Sequence, residues 1–131
     1  MNLFRLLANY MHLNAFTIFL IHLIIRMNVL SEKCMELSQA IASLSGFIGM
    51  EKGCLRCNFC RSIEDENRLF LLEEWDTQEN LMTHMQSEHF MVLRGAMNLL
   101  KEPYERVFYT VFHSAGMEEY GYPEQSVSKT R

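Results

Sequence analysis

The chain has 131 residues, of which 49% are hydrophobic, and a formal net charge of -4. That length fits one domain with enough chain to bury an apolar core. The acidic balance, with no basic patch, argues against a nucleic-acid partner.

Leu3, Phe4, Leu6, Leu7 and Tyr10 fall at helical spacing, so residues 1–15 read as an N-terminal extension, a short helix or loose arm. Leu13 to Ile25 is almost wholly apolar, with Arg5 upstream, an outline that faintly resembles a signal peptide. However, His22 interrupts the run, Arg26 ends it, no small-x-small cleavage site follows, and the run is too short to span a bilayer. A buried strand from about Phe16 to Asn28 is expected instead, with no membrane role.

Ser31 stands where a helix N-cap belongs. Leu30, Cys34, Leu37, Ile41, Leu44 and Ile48 then recur at steps of four and three, one apolar stripe of a helix. Gly46 and Gly49 loosen its end and Gly53 marks a turn. Cys54 to Ile63 reads as a second strand, residues 64–67 as an acidic turn, and Arg68 to Trp75 as a third strand, which makes an antiparallel hairpin. Asp76 with Glu79 forms a capping-box pattern for a second helix. A break near Ser87 starts another, striped by Phe90, Leu93, Met97 and Leu100 and stopped by Pro103. Tyr104 to His113 is the fourth strand, and residues 114–131 read as a mobile tail.

The order β-α-β-β-α-β predicts an α+β class, a ferredoxin-like sandwich over residues 16–113 with helices on one sheet face. On the last strand Val107, Tyr109 and Val111 alternate with Phe108, Thr110 and Phe112, so both faces carry apolar side chains. A second copy packed sheet to sheet covers the outer face most simply, and a homodimer is expected.

Cys54, Cys57 and Cys60 spell C-x-x-C-x-x-C, a spacing met in iron–sulfur proteins. On a strand, alternation puts Cys54 and Cys60 on one face and Cys57 on the other, so the thiols do not converge and no metal is expected. The four cysteines, Cys34 included, are even in number, but the apolar composition needs no bridges; reduced thiols and a cytoplasmic location follow. No G-x-G-x-x-G follows a strand and no G-x-S-x-G elbow is present, so nucleotide binding and serine hydrolysis have no support.

Trp75, the single tryptophan, reads either as a core residue at a strand end or as a flat wall for an aromatic ligand. His84 and His89 are five apart across the predicted helix break, which is not a metal-ligand spacing; either can carry protons near neutral pH. Arg94 is a solvated helix charge or, if inward, a holder of an anionic oxygen.

Gly-Cys-Leu-Arg (Gly53 to Arg56), Glu-Glu-Trp-Asp (Glu73 to Asp76), His84 and Ser-Glu-His-Phe (Ser87 to Phe90) together resemble the antibiotic biosynthesis monooxygenase family, across about Phe19 to Val111. That pattern has a G-C-L-R-like start, an E-x-W exit and an H-x-x-S-x-H-F helix. The resemblance implies a dimer of ferredoxin-like protomers, each with a pocket between sheet and helices. It implies oxygenation of quinols or aromatic polyketides by molecular oxygen without metal or flavin, hence no cofactor. Members that oxidise polyketides use an asparagine, a tryptophan and an arginine, for which Asn58, Trp75 and Arg94 are the candidates here. On this reading His84, His89 and Arg94 are catalytic, and Trp75 and Asn58 bind substrate. The haem-degrading members resemble the chain in order but carry a tryptophan and a histidine where it holds His84 and Arg94, so haem degradation is not expected. The alternatives are a non-oxidative isomerase of the same fold and a non-catalytic dimeric ligand-binding module.

Overall fold

The structure, a computed structural model, describes residues 16–115 and 125–130. The expected N-terminal extension, a short helix or loose arm over residues 1–15, lies outside the described residues.

Strand β1 (Phe16–Asn28) runs the length of the sheet. It buries Leu23, Ile25 and Met27 on one face, as a period of two requires. A 3-10 turn (Ser31–Lys33) leads into helix α1 (Cys34–Ile48). Ser31 was expected to cap this helix. Instead it begins the 3-10 turn, with no side-chain cap, and its hydroxyl donates to Asn67 Oδ1 at 3.3 Å. The stripe Leu37, Ile41 and Ile48 is fully buried, with Cys34 and Leu44 packed partly against the same core.

Strands β2 (Cys54–Arg61) and β3 (Arg68–Trp75) pair antiparallel. β2 ends two residues earlier than expected because Ser62 Oγ accepts from the backbone N–H groups of Glu64 and Asp65 and starts the turn. Helix α2 (Gln78–Met85) is capped by Thr77, whose hydroxyl accepts from the Asn80 N–H at 3.1 Å. The expected cap, Asp76, accepts instead from the Asn80 side-chain amide at 2.8 Å. Helix α3 (Glu88–Ala96) begins at Ser87, whose hydroxyl accepts from Phe90 N–H. A 3-10 turn (Met97–Leu99) precedes strand β4 (Glu105–Ala115).

The sheet order is β2-β3-β1-β4-β5, all antiparallel. Its first four strands are the ferredoxin-like arrangement. The fifth, β5 (Gln125–Thr130), falls in the expected tail: it pairs with β4 from Phe108 to His113 and satisfies backbone groups that an edge strand leaves open. The core lies between the helices and one sheet face, where Leu23, Ile25, Met27, Leu69, Leu71 and Trp75 meet Leu37, Ile41, Leu81, Phe90 and Leu93. On the opposite face Ile24 pairs with Leu72 and Val107, and His22 with Glu74 and Tyr109; neither Ile24 nor Leu72 belongs to that core.

Candidate functional site

β3 places Leu69, Leu71, Glu73 and Trp75 in one inward row, all buried. A carboxylate in such a row loses its hydration and needs partners. Trp75 Nε1 donates to Glu73 Oε1 at 2.9 Å. The second partner is His84, which α2 buries beside Leu81, three residues earlier on the same helix face. Its Nε2 stands 3.0 Å from Glu73 Oε1. That is ion-pair range, but not the alignment of a hydrogen bond: among the described residues neither Nε2 nor Glu73 Oε2 finds a hydrogen-bond partner.

The other ring nitrogen is held more firmly. His84 Nδ1 lies 2.6 Å from Glu51 Oε2, and Glu51 sits in the turn between α1 and β2. Glu51 Oε1 accepts from Ser87 Oγ at 3.3 Å and lies 2.9 Å from His89 Nδ1. One carboxylate thus ties the end of α2 to the start of α3. The faces of the rings are also used. His84 stacks on Trp75 with centroids 4.7 Å apart, and Phe90 meets it edge-on at 5.3 Å. His89 stacks on Phe47 at 5.4 Å, its side chain 41% exposed while that of His84 is closed to solvent.

Burial by itself lowers the pKa of His84, but contact with Glu73, and then with Glu51, outweighs it, so the net direction is upward from the ordinary 6.5. The His84 and Glu73 side chains are closed to solvent, while that of Glu51 stays 16% exposed. Beside them, Cys54 and Cys57 face the same core. Burial first, and then the nearby Glu73, push Cys54 up to about 11 and Cys57 higher still. Their shared face corrects the sequence reading, which paired Cys54 with Cys60. A register shift between Cys54 and Arg56 resets the alternation, so Cys54 and Cys57 point inward and Cys60, opposite Phe70, points outward.

The structure brings His84, His89 and Trp75 together through Glu51 and Glu73. It does not bring the other two candidates to them. Asn58 lies opposite Leu72 on the outer sheet face, exposed, because it alternates with the inward Cys57. Arg94 is exposed in the last turn of α3, on a groove of about 310 Å³ that it shares with Met91, Gly95, Asn98 and Tyr104. Trp75 is fully buried, and His84 covers one of its faces.

Sequence reasoning missed both carboxylates. Glu73 was legible as a charge in the inward register of an apolar strand. Glu51 carries no local signal, since its partners lie 33 and 38 residues away. Among the described residues no cluster of three or more His, Cys, Asp or Glu is arranged to hold a metal ion, and no helix is long and apolar enough to cross a membrane.

The sequence profile of the antibiotic biosynthesis monooxygenase family matches residues 20–94. Three solved structures of similar fold bear comparison. A candidate antibiotic biosynthesis monooxygenase from Nitrosomonas europaea is 21% identical, with 68% of this chain and 86% of that one covered at a TM-score of 0.65. A conserved protein from Methanosarcina mazei Go1 is 25% identical over 70% and 91% of the two chains, with a TM-score of 0.66. A conserved protein of unknown function from Bacteroides thetaiotaomicron, described as a possible oxidoreductase, is 23% identical over 66% and 94%, with a TM-score of 0.61. No curated protein matches the chain.

Proposed function

Because the chain belongs to the antibiotic biosynthesis monooxygenase family, we propose that it is a cofactor-independent monooxygenase acting on a quinol-like or phenolic small molecule. The observation that carries this reading is the Glu51–His84–Glu73 stack, with His84 and Glu73 closed to solvent beside Trp75 and Glu51 partly exposed at its rim. In such a reaction the substrate supplies the electrons. Both side chains of the His84–Glu73 pair are closed to solvent, so the substrate reaches them only once a movement opens the stack; its hydroxyl O–H bond then breaks, the proton passes to the pair, and the electron-rich anion reacts with molecular oxygen. One oxygen atom enters the ring and the other leaves as water, with all four electrons drawn from the quinol. His89 is the solvent-facing member of the same network. Arg94, on its separate groove, and Asn58, on the outer face, act on substrate only if a second copy or a movement brings them near.

The same proton-holding stack also favours a second reading, a non-oxidative isomerase that shifts a proton on a small carbonyl compound. A binding module predicts a filled or absent pocket with Trp75 and His84 packed against apolar neighbours; His84 does pack on Trp75 and Phe90, but Glu51 and Glu73 also flank it. The test is oxygen uptake with a panel of hydroquinones, comparing wild type with His84→Ala. Uptake that is lost in the variant supports the oxygenase. Turnover that persists under strict anaerobiosis supports the isomerase. Neither, in a folded protein, leaves the binding module.

Two copies packed through the outer sheet faces complete this reading. Ile24, Leu72 and Tyr109 form an apolar strip there with the charges of Glu74 and Arg26 beside it. A self-complementary strip of that kind is what a two-fold sheet-to-sheet contact buries.

A further inference from the structure

An imidazole between two carboxylates has a proton-sharing problem. Both neighbours are acceptors, and a neutral imidazole carries one N–H. The 2.6 Å contact of Nδ1 with Glu51 Oε2 is short and charge-assisted, so that nitrogen keeps its proton. On the other side, Nε2 and Glu73 Oε1 are 3.0 Å apart and out of line, and Glu73 Oε2 is buried without a hydrogen-bond partner. If neither Nε2 nor Glu73 held a proton, a lone pair would face a buried carboxylate. One proton therefore resides on the Nε2–Glu73 side, and it is the one this site can exchange.

We propose that Glu51 is the positioning residue of the site: it fixes His84 with Nδ1 protonated and ties α2 to α3 through Ser87 and His89, so that Nε2 and Glu73 form the proton-exchanging pair. This rests on the proposed function only for the identity of the reaction; the protonation pattern stands on geometry. Glu51 touches no substrate in this scheme and acts through His84. The groups that face His84 are Glu51 from the α1–β2 turn and Glu73 from β3. Behind them stand His89 of α3, on the far oxygen of Glu51, and Cys54 and Cys57 of β2 near both carboxylates. The thiols, held protonated by burial, add no competing charge.

The measurement is nitrogen-15 NMR of the histidine rings across pH, on the full chain, for wild type, Glu51→Gln, Glu51→Ala and Glu73→Gln. Glu51→Gln keeps an acceptor at the same reach and removes the charge, which guards against a variant that fails to fold. Wild type is expected to show His84 with Nδ1 protonated throughout and a single titration at Nε2. Both Glu51 variants are expected to shift that titration to lower pH, and Glu51→Ala also to mix the two tautomers. With an active quinol substrate, kcat of the Glu51 variants should fall roughly tenfold or more, KM should change little, and the rising limb of the pH profile should move with the NMR titration. An unchanged His84 tautomer and titration in folded Glu51→Ala overturns the proposal. If wild type turns over no quinol, the function reading fails while the NMR still decides the role of Glu51.

Discussion

His84 is where sequence, packing and chemistry meet in one side chain. Folding takes it out of water and places it between Glu73 and Glu51, and replacing it with leucine leaves the buried Glu73 without its counter-charge. Chemical denaturation of His84→Leu is expected to show a loss of about 3–5 kcal/mol. The same contacts set a pH dependence. The folded protein binds the His84 proton more tightly than the unfolded chain, whose histidine titrates near 6.5. The stabilisation is therefore complete below that value and is lost as pH rises above it through the folded pKa. Urea midpoints measured from pH 6 upward should decline in wild type, and that component should be missing from His84→Gln. Cys54 and Cys57 provide a separate readout of the same dry region, since the thiolate is the reactive form. With both pKa values pushed up, these two thiols should resist iodoacetamide at neutral pH until the protein is denatured, as peptide mass spectrometry would show.

At the level of elements, the junctions hold the site in place. Gly53 ends the turn that carries Glu51 and sits at φ 84, a left-handed conformation that suits glycine. A methyl group there would run into Asn80 and Asp76, the pair beside the start of α2, while its carbonyl already accepts from the Asp76 N–H at 3.0 Å. Gly53→Ala is expected to destabilise by more than about 2 kcal/mol and to disturb the Glu51–His84 contact, visible together in thermal melts and in the His84 NMR signal. Ser87 serves two elements at once: it caps α3 and donates to Glu51. Ser87→Ala should cost about 1 kcal/mol from the cap alone. A matching Thr77→Ala, which loses a cap but no contact with Glu51, provides the control for the second effect.

For the whole molecule, the outer sheet face is the proposed contact between two copies. The helices cover one face; on the other, half-buried Leu72 and Ile24 stand adjacent in register, beside the fully buried Val107. Leu72→Glu puts a charge into the middle of that face without touching the core or the His84 stack. The expected outcome is a folded monomer in sedimentation, against a dimer for wild type. A wild-type monomer with the same face exposed would show that the strip serves another purpose.

The sequence alone determined what local periodicity encodes. Alternation and helical stripes defined four strands and the helices between them, the Ser87 break, and thus the sandwich class, because apolar spacing dictates which face each element buries. His84, His89 and Trp75 could be picked out because their residue types are rare and chemically suited. Glu73 was readable as a charge in an inward row, although the row's meaning depends on what stands opposite. Only the tertiary structure decided the rest. Glu51 reaches His84 and His89 from a distant turn; the register shift in β2 turns Cys54 inward; pairing with β4 makes a strand of Gln125–Thr130; and Asn58 and Arg94 lie apart from His84. Each of these depends on contacts between residues far apart in the chain, and no local period carries that information.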